Sequence, residues 1–146
     1  MTPGADQMVT TKTVLITGAT GFVGRATVAA LADTDWQVIQ GVRESMTPLA
    51  QGTVHLNLAD PATILALAKE PRCDAIIHLG AHIGWSEADE SKMFALNVLS
   101  TGCLAHLAHL WRARLIYASS VSVHGTRNET IKLNSPICAD TAYANS

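Results

Sequence analysis

Residues 13–24 read TVLITGATGFVG. Thr13–Thr17 is a run of β-branched and aliphatic residues, the composition of a strand covered on both faces. It stops at a glycine cluster, and GRATVAALAD beyond it repeats small and apolar residues at helical spacing. Gly18, Gly21 and Gly24 are spaced GxxGxxG. Gly18 permits a tight turn out of the strand. Gly21 lets a pyrophosphate approach the backbone, and Gly24 lets the helix pack close to the sheet. The first N–H groups of that helix then offer free donors and a partial positive charge to the phosphates. A glycine triplet that closes a strand and opens a helix is a strong dinucleotide-binding signal, whereas the triplet alone is weak. No GK[ST] follows at the required spacing, which excludes a P-loop.

The rest of the chain continues the alternation. WQVIQGV (36–42) reads as a second strand and VHLNL (54–58) as a third. Asp60-Pro61 is an N-cap followed by proline at the first helical position, opening the helix ATILALAKE. DAIIHLGA (74–81) is a fourth strand, residues 91–113 form a long helical pattern, and RLIYASS (114–120) is a fifth strand. Strands alternating with helices at this spacing predict an α/β fold. The expected form is a doubly wound parallel sheet, Rossmann-like, of order 3-2-1-4-5, incomplete at the C-terminus.

Bulk properties narrow the function. The chain has 146 residues, 48% of them apolar, enough for one core. With 10 basic and 12 acidic residues the net charge is −2, so no basic field draws nucleic acid or an anionic membrane. No apolar run is expected to reach the ~18–20 residues that cross a bilayer. The leader MTPGADQMVT lacks the pattern of a signal peptide. Cys73, Cys103 and Cys138 form no CxxC pair and read as free, small, buried hydrophobes of a reducing, cytoplasmic protein. No His/Cys/Asp cluster has metal spacing. His78 reads as a core residue, and His106 and His109 as solvated residues near a helix end.

TGATGFVG resembles the extended short-chain dehydrogenase/reductase family, the NAD-dependent epimerase/dehydratase group, and the resemblance runs from about Thr13 to Ser146. LNLAD looks like that family's third-strand motif, with Asn57 in place of Asp and Leu58 after it. IIHLGAH resembles H-x-A-A, with Gly80 in place of the first Ala. ALNVLSTGCL resembles N-V-x-G-T, with Ser100 in place of Gly. IYASSVSVHG resembles the serine motif, with His124 where Tyr is common. The resemblance implies cofactor contacts at Gly18, Thr20, Gly21, Phe22, Val23, Gly24, Arg43, Asn57, Leu58, Leu79, Gly80, Ala81 and Asn97. It also implies a small-molecule substrate, which this part of the chain does not identify.

Two readings follow for chemistry. At the end of the second strand, where an acidic residue would hold the ribose 2′-OH of NAD, stand Val42 and Arg43. Arginine there pairs with a 2′-phosphate, which leans toward NADP, while Glu44 one residue on keeps NAD open. The family's catalytic serine matches Ser120, and its tyrosine matches Tyr143, 23 residues later. The family pattern Y-x-x-x-K puts a lysine next after Ser146. The expectation is therefore a leader over 1–11 and an NAD(P)-binding Rossmann domain over 12–146, cut before the end of the catalytic helix. That domain belongs to a hydride-transferring oxidoreductase or epimerase. A non-catalytic dinucleotide-binding module or redox sensor is the alternative. A fifth strand left uncovered is an edge through which two copies can pair as a homodimer.

Overall fold

A computed structural model describes residues 11–43, 49–84, 87–127 and 129–146. Most of the leader and Glu44 lie outside the described residues. Five parallel strands, β1 (Lys12–Thr17), β2 (Trp36–Val42), β3 (Thr53–His55), β4 (Ala75–His78) and β5 (Arg114–Tyr117), form one sheet of order β3-β2-β1-β4-β5. Val14 pairs with Val38 on one side and with Ala75 on the other, so the glycine turn leaves the centre of the sheet.

Alternation along the strands builds two cores. Leu15 and Ile76 point to one face. There they meet Ile64 of α2 (Pro61–Ala66) and Leu104, Leu107 and Trp111 of α4 (Ser100–Trp111). Val14, Ile16 and Ala75 point to the other face, against Val28 and Leu31 of α1 (Phe22–Leu31). Helices therefore cover both faces, as continuous apolar strands require.

Several boundaries differ from expectation for local reasons. β3 ends at His55, three residues early. Asn57 leaves the ladder, because its Oδ1 accepts from Ala59 N–H at 3.1 Å and its own N–H donates to Thr63 Oγ1 at 2.9 Å. β5 ends at Tyr117, and Ser120 instead caps a 3₁₀ turn over Val121–His124. The long helical pattern divides into α3 (Glu87–Met93), a π-helical segment Phe94–Leu99, and α4. Asp89–Trp111 is in fact long and apolar enough to cross a membrane by length and composition, contrary to the expectation from sequence. Its buried stripe of Leu104, Leu107, Ala108 and Trp111 packs on the sheet. Of the cysteines only Cys73 is buried. Cys103 is half-buried, and Cys138 is exposed because it lies in the loop after the 3₁₀ turn. Burial, with Asp74 adding to it, pushes the Cys73 thiol up to about 11, which keeps it protonated and unreactive.

Candidate cofactor cleft

The C-terminal ends of β1, β2 and β4 open onto a cleft of about 710 Å³. This is the crevice where doubly wound sheets hold ligands. Gly18 starts it at φ +68°, in the left-handed region that favours glycine. Its amide neighbour across the turn is close: a Cβ on Gly18 would stand 2.7 Å from Gly80 N. Gly21 N–H donates to Gly18 O at 3.0 Å, closing the turn. α1 then begins with no side-chain cap and no acidic residue in its first turn. Its leading amides are thus available to an anion. The residues present fit a dinucleotide pyrophosphate.

Of the residues singled out in the sequence, the cleft gathers Gly18, Thr20, Gly21, Arg43, Asn57, Leu58, Leu79, Gly80 and Ala81. Phe22 and Val23 stand outside its lining and are exposed, and Gly24 is buried beneath the turn. A Cβ on Gly24 would meet Gly18 O and come within 2.7 Å of Ala19 Cα, so its role is the close helix packing. Arg43 is exposed on the cleft and has no carboxylate partner among the described residues. Asn57 spends its Oδ1 on Ala59 and shapes the turn that presents Leu58.

Asn97 lies behind the wall. It is buried in the π-helical segment, where Oδ1 accepts from His82 N–H at 2.8 Å and Nδ2 donates to His82 O at 3.0 Å. His82 does line the cleft, and its Nε2 lies 3.3 Å from Asp89 Oδ1. Sequence reading missed His82 and Thr17 as lining residues. Thr17 carried a usable signal, a hydroxyl at the end of an otherwise apolar strand that must find a partner when buried.

Ser120 and Tyr143 are placed by a pinned loop. Thr126 N–H donates to Asp140 Oδ2 at 2.8 Å, and the same contact holds the Asp140 carboxyl below its usual range. Arg127 Nε donates to His124 O at 2.7 Å, and Cys138 N–H to Val123 O at 2.9 Å. The loop thereby returns α5 (Ala142–Asn145), which carries Tyr143, against the 3₁₀ turn capped by Ser120. Ser120 Oγ accepts from Ser122 N–H at 3.2 Å and donates to Ser122 Oγ at 3.1 Å. Neither Ser120 nor Tyr143 lines the cleft. A second hollow of about 670 Å³, between α3, the π-helical segment and α5, is lined by Glu90, Phe94, Asp140 and Ser146 among others.

Comparison with known proteins agrees with this geometry. The sequence profile of the NAD dependent epimerase/dehydratase family matches residues 14–146. Methionine adenosyltransferase 2 subunit beta of Xenopus tropicalis is 33% identical over 117 residues, which are 79% of this chain and 34% of that protein. An uncharacterized oxidoreductase of Emericella nidulans is 31% identical over 132 residues, covering 77% of this chain and 51% of its own. A short-chain dehydrogenase/reductase superfamily protein from Agrobacterium tumefaciens with bound NAD superposes with a TM-score of 0.77 at 31% identity. That match covers 91% of this chain and 41% of the other. The UDP-Glc/GlcNAc 4-epimerase of Campylobacter jejuni shares the fold, with a TM-score of 0.80 at 21% identity over 92% of this chain and 45% of that one. The chain thus spans between 34% and 51% of the length of these relatives.

Proposed function

Because this chain belongs to the NAD dependent epimerase/dehydratase family, we propose that it is the cofactor-binding half of an NAD(P)-dependent oxidoreductase or epimerase. The observation that carries the reading is the convergence of three features on one cleft. These are a glycine turn at positive φ, an uncapped helix start, and a wall at Gly80 where the backbones nearly touch. The amides at the start of α1 would hold the pyrophosphate, and Leu58 and Asn57 the adenine side. Arg43, without a carboxylate partner among the described residues, favours the 2′-phosphate of NADP over NAD.

When bound, the nicotinamide gives or takes a hydride at a carbinol or carbonyl carbon. Tyr143 would give or take the hydroxyl proton. Ser120 would hydrogen-bond the reacting oxygen, for which its hydrogen must turn away from Ser122 Oγ. Tight retention of cofactor through purification would favour an epimerase or dehydratase, and free exchange a reductase.

A second reading, a dinucleotide-binding module without turnover, is favoured by Ser120 and Tyr143 standing outside the lining of the cleft. The test is fluorescence titration of the chain with NADPH and NADH, wild type and Arg43→Ala. The expected result is binding of both, NADPH more tightly, with Arg43→Ala losing about tenfold or more for NADPH alone. Absence of binding by either dinucleotide contradicts both readings. If both bind, turnover by a protein that continues past Ser146, abolished by Tyr143→Phe, separates the enzyme from the module.

A further inference from the structure

His78 is buried, 1% exposed, and both its ring nitrogens are bonded. Nδ1 lies 2.6 Å from Thr17 Oγ1, and Nε2 lies 3.0 Å from Thr101 Oγ1. The network fixes the tautomer. Thr101 spends its hydrogen on Asn97 O, so toward His78 it can only accept, and the imidazole proton sits on Nε2. Nδ1 is then an acceptor and takes the hydrogen of Thr17. The Thr17 oxygen is left to accept from Gly80 N–H, at 3.2 Å.

Thr17 ends β1 and Gly80 lies in the turn after the neighbouring β4, so the Gly18 and Gly80 turns sit side by side at one edge of the cleft. Gly18 and Gly80 nearly touch there, and a Cβ on Gly80 would stand 3.4 Å from Gly18 N. A hydroxyl free to rotate would hold Gly80 N–H in only some of its rotamers. His78 removes that freedom by claiming the hydrogen. On its other side the same ring is seated, through Thr101, on the carbonyl of Asn97, whose side chain holds His82.

We propose that His78 is a positioning residue of the cofactor cleft: as a neutral imidazole protonated on Nε2 it orients the Thr17 hydroxyl, and so fixes the Gly80 turn against the Gly18 turn. The proposal deepens the dinucleotide reading and rests on it for the identity of the ligand. The positioning itself is measurable without ligand. A core histidine with no such role would affect stability alone.

The experiment uses the ¹⁵N-labelled chain as wild type, His78→Leu, His78→Asn and Thr17→Val. Amide hydrogen exchange at Gly80 is read beside that at Ile16, and NADPH affinity is read by fluorescence. Asparagine keeps an acceptor near the Nδ1 position, while leucine keeps none. Thr17→Val removes the hydroxyl with little change of shape, so it decides the question if His78→Leu does not fold. The expected result is that His78→Leu and Thr17→Val speed exchange at Gly80 about tenfold relative to Ile16 and weaken NADPH about tenfold. His78→Asn recovers most of both. Unchanged Gly80 exchange in a folded Thr17→Val or His78→Leu chain overturns the proposal. A wild type that binds no dinucleotide overturns the cofactor reading instead, and exchange at Gly80 still decides whether His78 positions the turn.

Discussion

The carboxamide of Asn97 grips the peptide of His82 from both sides, accepting from its N–H at 2.8 Å and donating to its carbonyl at 3.0 Å. The same Nδ2 donates to Ser146 Oγ at 2.8 Å, and Ser146 Oγ donates to Tyr143 O at 2.9 Å. One buried side chain thus joins the cleft wall to the helix of the candidate tyrosine. Asn97→Leu leaves the His82 peptide unpaired and is expected to cost about 2–3 kcal/mol in urea unfolding. Asn97→Asp keeps the acceptor but sets a buried carboxylate oxygen against the His82 carbonyl, so at neutral pH its cost is expected to equal or exceed that of Asn97→Leu.

Glycines of the cleft differ in what a methyl group would meet. At Gly24 it would meet backbone, Gly18 O and Ala19 Cα, which cannot move without lifting α1. At Gly80 its nearest neighbour would be Leu58 Cδ1 at 2.6 Å, the far end of a side chain that can swing. Gly24→Ala is expected to destabilise by about 1–3 kcal/mol, and Gly80→Ala by less than about 1 kcal/mol. Thermal unfolding of the two variants checks the order.

Burial lowers the pKa of His78 from 6.5 to about 4. The unfolded chain therefore takes up a proton at this site at higher pH than the folded chain does. Stability is full above about pH 6.5 and falls as pH drops through the interval to about 4, where the loss is complete. The gap is worth on the order of 3 kcal/mol. Urea midpoints measured from pH 7.5 to 4 in wild type and in His78→Asn are expected to diverge, with the variant losing less on acidification.

Arg112 ends α4 in the left-handed region at φ +55°, and its N–H bonds Ala108 O and His109 O. A side chain there is strained, and glycine is the residue that this cap favours. Arg112→Gly is expected to stabilise by about 0.5–1 kcal/mol, read as a higher melting temperature with cofactor binding unchanged.

The glycine turn was legible because Gly18 and Gly24 stand where backbone geometry leaves no room for a Cβ. The second strand and the Asp60–Pro61 helix start were legible because local chemistry alone decides them: Asp60 Oδ1 accepts from Ala62 N–H at 3.0 Å. The end of β3 was not, because VHLNL reads as strand until the Asn57 side chain captures the turn. Nor was the π-helical segment, since Phe94–Leu99 keeps the apolar spacing of an α-helix and the partners of its Asn97 side chain, His82 and Ser146, lie 15 and 49 residues away. His78 was legible as a buried residue, but its partners come from Thr17 and Thr101, 61 and 23 residues away. The cleft wall at Leu49 and Ala50 comes from a loop whose composition carries no such signal.

The most direct test of the cleft as a dinucleotide site is an amide titration of the ¹⁵N-labelled chain with NADPH. The account predicts saturable shifts confined to Gly18, Thr20, Gly21, the first turn of α1, Arg43, Asn57, Leu58, Gly80 and Ala81. Shifts confined to the hollow beside Glu90, Asp140 and Ser146, or no shifts at millimolar ligand, would contradict it.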